Sequence, residues 1–169
     1  MPTYRRRTRI AAPFEEVWEF HATTAGLERL TPDWMHLRIE GVRGPDGERE
    51  PEELAAGTRI RMSIGPLGVV PRQRWVSVIT DRRRSDDDAV FVDEMREGPF
   101  RKWEHTHTFL ADGDETVLID TVRYRLPFGA VGDALGPLAK VGFEGMFRDR
   151  HRRTRAALEG HDVPVSESG

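Results

Sequence analysis

The chain of 169 residues contains no cysteine, which excludes disulfides, thiolate nucleophiles and Cys-ligated zinc. It also lacks any apolar run near the ~20 residues that span a bilayer. The start, Met1-Pro2-Thr3-Tyr4 followed by Arg5-Arg6-Arg7, has none of the apolar core of a secretory signal, so a cytoplasmic location is expected. Neither sign of charge dominates: 26 basic and 29 acidic residues leave a net −3. Lysine is scarce, at Lys102 and Lys140 only, so nearly all the basic charge is arginine. The run Arg82-Arg83-Arg84 abuts Asp86-Asp87-Asp88, and no aromatics interleave with it as single-strand binding favours. Such runs read as solvated faces, and no nucleic-acid partner is expected. Absent too are a phosphate-cradling glycine loop, a Gly-x-Ser-x-Gly elbow and a His-Glu-x-x-His pair.

What is present is a soluble-type composition, 37% hydrophobic and 33% charged, of a length that makes one domain. That domain is expected over 1–159, with a short polar tail at 160–169 expected to be disordered. A first strand fits 3–10. Pro13 suits the first turn of a helix in which Phe14, Val17, Trp18 and His21 share a face, and Glu15 and Glu16 complement the dipole. A second short helix over 23–30, capped by Thr23 or Thr24, stops at Pro32. Strands are then expected at 35–42, 59–64, 72–80, 89–96, 101–110 and 115–126, with short turn-rich links that imply an antiparallel meander. A helix over 131–158 closes the chain, with Val131, Leu135, Leu138, Met146 and Leu158 near helical spacing and the arginines of 148–155 on more exposed turns. The fold class is therefore α+β: a curved antiparallel sheet of six to seven strands around a long C-terminal helix. One helix cannot cover such a sheet completely, which leaves an internal space.

The strand over 101–110 points to where chemistry sits. Trp103, His105, His107 and Phe109 alternate onto one face, which reads as inward because the other carries Lys102, Glu104, Thr106 and Thr108. Asp112-Gly113 suits the centre of a type I′ hairpin. That turn sets Ala111 against Asp114 and hence His105 against Asp120, His107 against Leu118 and Trp103 against Val122, with Tyr124 inward and across from Arg101. A bulged loop would shift this register. Three readings of the His105–Asp120 pair stand side by side: a satisfied core pair, a polar anchor for a ligand oxygen, and an acid–base pair. On neighbouring strands Phe91, Asp93 and Met95 share a face, as do Gln73, Trp75, Ser77 and Ile79; Trp75 and Met62 also fit an ordinary core. His-x-His with a facing carboxylate has the composition of a two-histidine, one-carboxylate metal site. The ~6.6–6.8 Å Cα spacing along a strand suits one ion only loosely, no third histidine lies nearby, and Trp103 and Phe109 crowd the place, so neither metal nor cofactor is expected.

Ile10-Ala11-Ala12-Pro13-Phe14-Glu15-Glu16-Val17-Trp18, Leu30-Thr31-Pro32, the segment from Gly98-Pro99-Phe100 to Phe109, and the one from Asp120 through Tyr124 to Gly129 together carry a family likeness. The chain resembles the START-like, or SRPBCC, superfamily, and within it the small polyketide cyclase/dehydrase-like proteins. The resemblance implies a helix-grip fold with a deep apolar cavity. It implies a small hydrophobic partner (a lipid, an isoprenoid or an aromatic polyketide) held by Trp75, Phe91, Asp93, Trp103, His105, His107, Phe109, Asp120 and Tyr124. The alternative is a cyclase or dehydratase, a lyase or isomerase, with His105 and Asp120 catalytic and Tyr124 at an enolate oxygen. A regulatory protein acting through its arginine-rich last helix is a third class, and a homodimer is left open.

Overall fold

The computed structural model describes residues 1–69 and 71–159, so the expected tail at 160–169 lies outside the described residues. The chain opens with β1 (Thr3–Ile10), turns through Pro13 into α1 (Phe14–His21) and α2 (Thr24–Leu30), and then runs through six strands. These are β2 (Arg38–Arg43), β3 (Arg59–Ile64), β4 (Gln73–Arg84), β5 (Asp88–Glu97), β6 (Lys102–Asp112) and β7 (Glu115–Arg125), followed by α3 (Gly129–Leu158). Among the described residues the strands form one antiparallel sheet in the order β1-β7-β6-β5-β4-β3-β2. Strands β2 to β7 are a continuous meander, and β1 closes onto β7, the last strand.

Local chemistry accounts for most boundaries. Pro13 stands at the N-cap of α1, one place before the first helical turn, and Glu15 and Glu16 follow it. The Thr23 side chain caps α2 by accepting from the Gly26 N–H. Strand β4 runs further than its apolar pattern suggests, out to Arg84, because its charged end pairs with β5. Register shifts at Val76/Ser77 and Ile79/Asp81 interrupt that pairing. Bulges of this kind add local twist and bend the sheet over the helix.

The β6–β7 hairpin differs from the I′ expectation. Its two loop residues are Gly113 and Asp114, flanked by the pair Asp112–Glu115. Gly113 has φ 64°, while Asp114 is not in the positive-φ region, the pattern of a II′ turn with glycine first. The register therefore slides by two residues: His107 faces Asp120, His105 faces Val122, and Trp103 faces Tyr124. A slide of two keeps every side chain on its own face, because strand alternation has period two.

The buried stripe of α3 also differs from expectation. Val131 and Leu138 are exposed, whereas Phe143, Phe147, His151 and Thr154 are buried, with Ala139, Met146 and Leu158 packed against the core. The side chain of Leu135 is outside the described set. Spacings of three and four along 139–158 make one helical face, and that face meets the sheet through Tyr4, Val122 and Tyr124. Of the helix glycines, Gly132 and Gly136 sit close to Pro127 and Pro2, while Gly142 and Gly145 have open space beside them. None of the four lines the cavity described below.

Candidate functional site

Between the concave face of β3–β6 and the α1, α2 and α3 helices lies a cavity of about 110 Å³. Alternation along the strands delivers its walls: Ile60 and Met62 from β3, Trp75, Ser77 and Ile79 from β4, Phe91, Asp93 and Met95 from β5, and Trp103, His105 and His107 from β6. The helices add His21, Leu27, Met146, Phe147 and Arg150. Most of this lining is aliphatic, aromatic or thioether. Its polar groups fall in two sets: Ser77, Asp93, His105 and His107 adjoin across β4, β5 and β6, while His21, Thr31 and Arg150 approach from the helical side.

Two carboxylates hold the histidine pair from opposite sides. Behind it, away from the cavity, Asp120 is almost wholly buried at 1% exposure. His105 Nε2 lies 3.0 Å from Asp120 Oδ1, and His151 Nε2 lies 2.6 Å from Oδ2. His107 Nδ1 approaches Oδ1 to 2.9 Å as a close ionic contact, off the line of a formed hydrogen bond. The other nitrogen of His151, Nδ1, is 2.7 Å from the Thr8 hydroxyl on β1. On the cavity side, Asp93 Oδ1 stands 3.5 Å from His105 Nδ1 and 3.5 Å from His107 Nε2. Ser77 Oγ donates to Asp93 Oδ2 at 2.9 Å. The two imidazole centroids are 3.8 Å apart, and His107 stacks on Phe91 with centroids at 4.1 Å.

Burial and charge pull these groups in different directions. Burial lowers His105, and the neighbouring His107 adds to that, against the pull of Asp120. His107 also feels burial, but Asp120 and Asp93 together outweigh it and raise it above the ordinary imidazole value. Burial pushes both carboxyls up, yet the imidazoles win: Asp120 is held well below the usual range by His107, His105 and His151, and Asp93 is held below it too. His21 donates to Val17 O through Nδ1, has no partner at its buried Nε2, and is pushed down to about 3, first by burial and then by Arg150. Burial likewise lowers Arg150, whose Nε lacks a partner.

Six of the sequence-selected residues come together on the cavity wall: Trp75, Phe91, Asp93, Trp103, His105 and His107. The other three stand outside it. Phe109 packs edge-on to Trp18 and His21. Asp120 is screened from the cavity by the imidazoles it holds. Tyr124 donates its hydroxyl to Gly136 O at 2.7 Å and lies against Phe143, so its O–H is engaged by the helix rather than turned to an enolate. His105 still meets Asp120, though diagonally and not as the facing residue. Sequence reasoning missed His151, Arg150, His21 and Ser77. His151 carried a signal, since it lies four residues after Phe147, but the surrounding arginines disguised the buried face. Arg150, expected on exposed turns, instead reaches the cavity.

A curved sheet gripping a long helix around a mainly apolar hollow, with a polar cluster on one wall, defines the class of helix-grip, START-like ligand-binding folds. Residues 10–153 match the family described as "Polyketide cyclase / dehydrase and lipid transport", and the chain belongs to that family. No functionally curated protein matches the sequence. Among solved structures, TTHA0849 from Thermus thermophilus is similar at 22% identity and TM-score 0.62, over 92% of this chain and 99% of that one. A START superfamily protein from Mycobacterium smegmatis shares 14% identity with TM-score 0.60, over 93% and 97%. A point mutant of norcoclaurine synthase from Thalictrum flavum, in complex with a transition-state analogue, shares 16% with TM-score 0.68, over 95% of each chain. At these identities the structures establish the shared fold. No helix among the described residues is long and apolar enough to cross a membrane.

Proposed function

We propose that the protein binds a small molecule whose compact apolar part fills the cavity and whose single polar group meets Asp93, His105 and His107. The observation that carries this reading is the convergence of Asp93, His105 and His107 at one place in a lining that is otherwise mainly aliphatic, aromatic or thioether. Of the partner classes the family suggests, the volume of about 110 Å³ favours one aromatic ring over a long acyl chain or a fused polyketide. A cavity that takes up benzene measures roughly 150 Å³, so even a single ring requires the lining here to yield a little, and a larger ligand much more. Trp75 and Trp103 line the space, so their fluorescence reports occupancy. A panel of monocyclic phenols and aromatic aldehydes is expected to shift this emission and raise the melting temperature, with C16 fatty acids doing neither. A flat response to the whole panel would overturn the reading.

A second reading, acid–base catalysis of the cyclase or dehydratase kind, draws on one specific observation. The two imidazoles border the same cavity with centroids 3.8 Å apart, both lying between Asp93 and Asp120, and these surroundings pull His105 down and His107 up. Neighbouring groups driven apart in this way suit an acid and a base. Replacing His105 with Gln is then expected to abolish turnover of a ring substrate while retaining its binding; equal loss of both favours binding alone.

A further inference from the structure

We propose that Asp93, His105 and His107 form a three-ligand site for a divalent transition metal, zinc by its geometry, with the fourth position open to the apolar cavity. The sequence argued against a metal on three grounds, and the fold answers each. The two rings, although on one strand, converge to centroids 3.8 Å apart, so the Cα spacing does not keep them from one ion. The third donor is a carboxylate from the adjacent strand β5, not another histidine. Phe109 and Trp103 do not fill the place: Phe109 lies toward Trp18, and Trp103 stands edge-on to His105.

The orientation of the rings is the main argument. Asp120 Oδ1 accepts from His105 Nε2, which places a proton there, and lies 2.9 Å from His107 Nδ1 as a close contact. The remaining nitrogens, His105 Nδ1 and His107 Nε2, approach the same oxygen, Asp93 Oδ1, and offer lone pairs there when the rings are neutral. Two imidazole nitrogens and a carboxylate oxygen converging on one point suit a shared cation. Each nitrogen is 3.5 Å from that oxygen, longer than the ~2.9–3.0 Å of an ordinary N–H···O bond. Two ligands ~2.0–2.1 Å from a tetrahedral zinc are themselves about 3.3 Å apart. One donor atom from each of the three residues lies within 4.8 Å of the other two.

The surroundings have the form of an outer shell. Asp120 fixes the His105 tautomer and contacts His107, Ser77 holds the far oxygen of Asp93, and His151 with Thr8 anchors Asp120 in turn. A dication would balance the two buried carboxylates. Phe91 stacks on His107 and Phe147 meets His105 edge-on, and both border the cavity from which water or the polar group of a ligand would reach the fourth position. The inference deepens the binding reading above, yet metal uptake is measured with no organic ligand present.

The test uses the full chain purified without a histidine tag, stripped with chelator and titrated with Zn²⁺ by calorimetry and with Co²⁺ by visible absorption. One equivalent of each is expected, and Co²⁺ should show the intense bands of a four-coordinate site. Asp93→Asn and His107→Gln are each expected to weaken Zn²⁺ binding at least ~100-fold, and Asp120→Asn about 10–100-fold. Replacing His36, outside the cavity, with Gln is expected to leave it unchanged. Folding of each variant is checked by circular dichroism in chelator, and Asp93→Asn, at a partly buried position, serves if His107→Gln fails to fold. Zn²⁺ binding that is absent, or equal in wild type and Asp93→Asn, overturns the proposal. Ring compounds that still raise the melting temperature in chelator would then leave the cavity reading standing. Zinc uptake without any response to ring compounds would do the reverse.

Discussion

Replacing Asp120 with Asn removes a charge from a site almost closed to solvent while keeping size and one hydrogen-bonding oxygen. Asp120 contacts His105, His107 and His151 at 2.6–3.0 Å, so three rings lose their common anion. Breaking a buried ion pair by removing one partner costs about 3–5 kcal/mol. At ~2–4 °C per kcal/mol for a chain of this size, the melting temperature should fall by about 6–20 °C. The loss should depend on pH, with a sign fixed by the raised His107. A base with a raised folded pKa contributes stability that is full below its unfolded value near 6.5 and is lost as pH rises through the folded value. Asp120, with its depressed pKa, contributes above its unfolded value near ~3.9, so at pH 5.5 both partners are charged. The gap between wild type and variant should therefore be widest near pH 5.5. By pH 9 it should shrink toward the ~1–3 kcal/mol of lost hydrogen bonds. His21, lowered to about 3, costs stability as pH falls below ~6.5, but does so in both proteins and cancels from the difference. Thermal unfolding followed by circular dichroism in chelator at the two pH values makes the measurement. A gap below ~1 kcal/mol, or one equal at both pH values, would refute a charged Asp120–His107 pair.

Two further outcomes test the placement of residues around the cavity. Tyr124→Phe should cost about 1 kcal/mol, through loss of the bond to Gly136 O, and leave ring-compound affinity unaltered; a clear loss of affinity would put the hydroxyl back at the ligand. Gly98→Ala places a methyl 2.7 Å from Trp75 Cβ and closer still to Met95 Sδ, so overpacking of about 1–3 kcal/mol and a shift in tryptophan emission are expected; wild-type stability would contradict this approach.

Much of the frame was legible from local pattern. The bounds of β1 and β3, the α1 face and the Thr23 cap follow from alternation, helical spacing and capping chemistry, which act over a few residues. The inward set of β6 survived an incorrect turn assignment because the register slid by an even number of places. The helix was harder. Val131 and Leu138 repeat at a helical interval as well as Phe143 and Phe147 do, and only the approach of the sheet decides which stripe is covered. Counting Val131 and Leu138 with Met146 and Leu158 on the covered stripe concealed His151 among arginines and turned Arg150 outward. Tyr124 was correctly buried but given the wrong task, since sequence carries no sign that Gly136 O lies within reach of its hydroxyl.

The sequence by itself determined the antiparallel meander, the closing helix and the identity of the side chains on the inner face, all consequences of backbone geometry repeated along neighbouring residues. Tertiary structure decided which of those side chains meet. Asp93, His105, Asp120 and His151 come from three strands and a helix, and their convergence depends on sheet curvature and on where the helix lands. It also placed Asp120 behind the imidazoles and Asp93 in front of them. That arrangement turned a facing pair into two rings held between two carboxylates, beside a mainly apolar hollow.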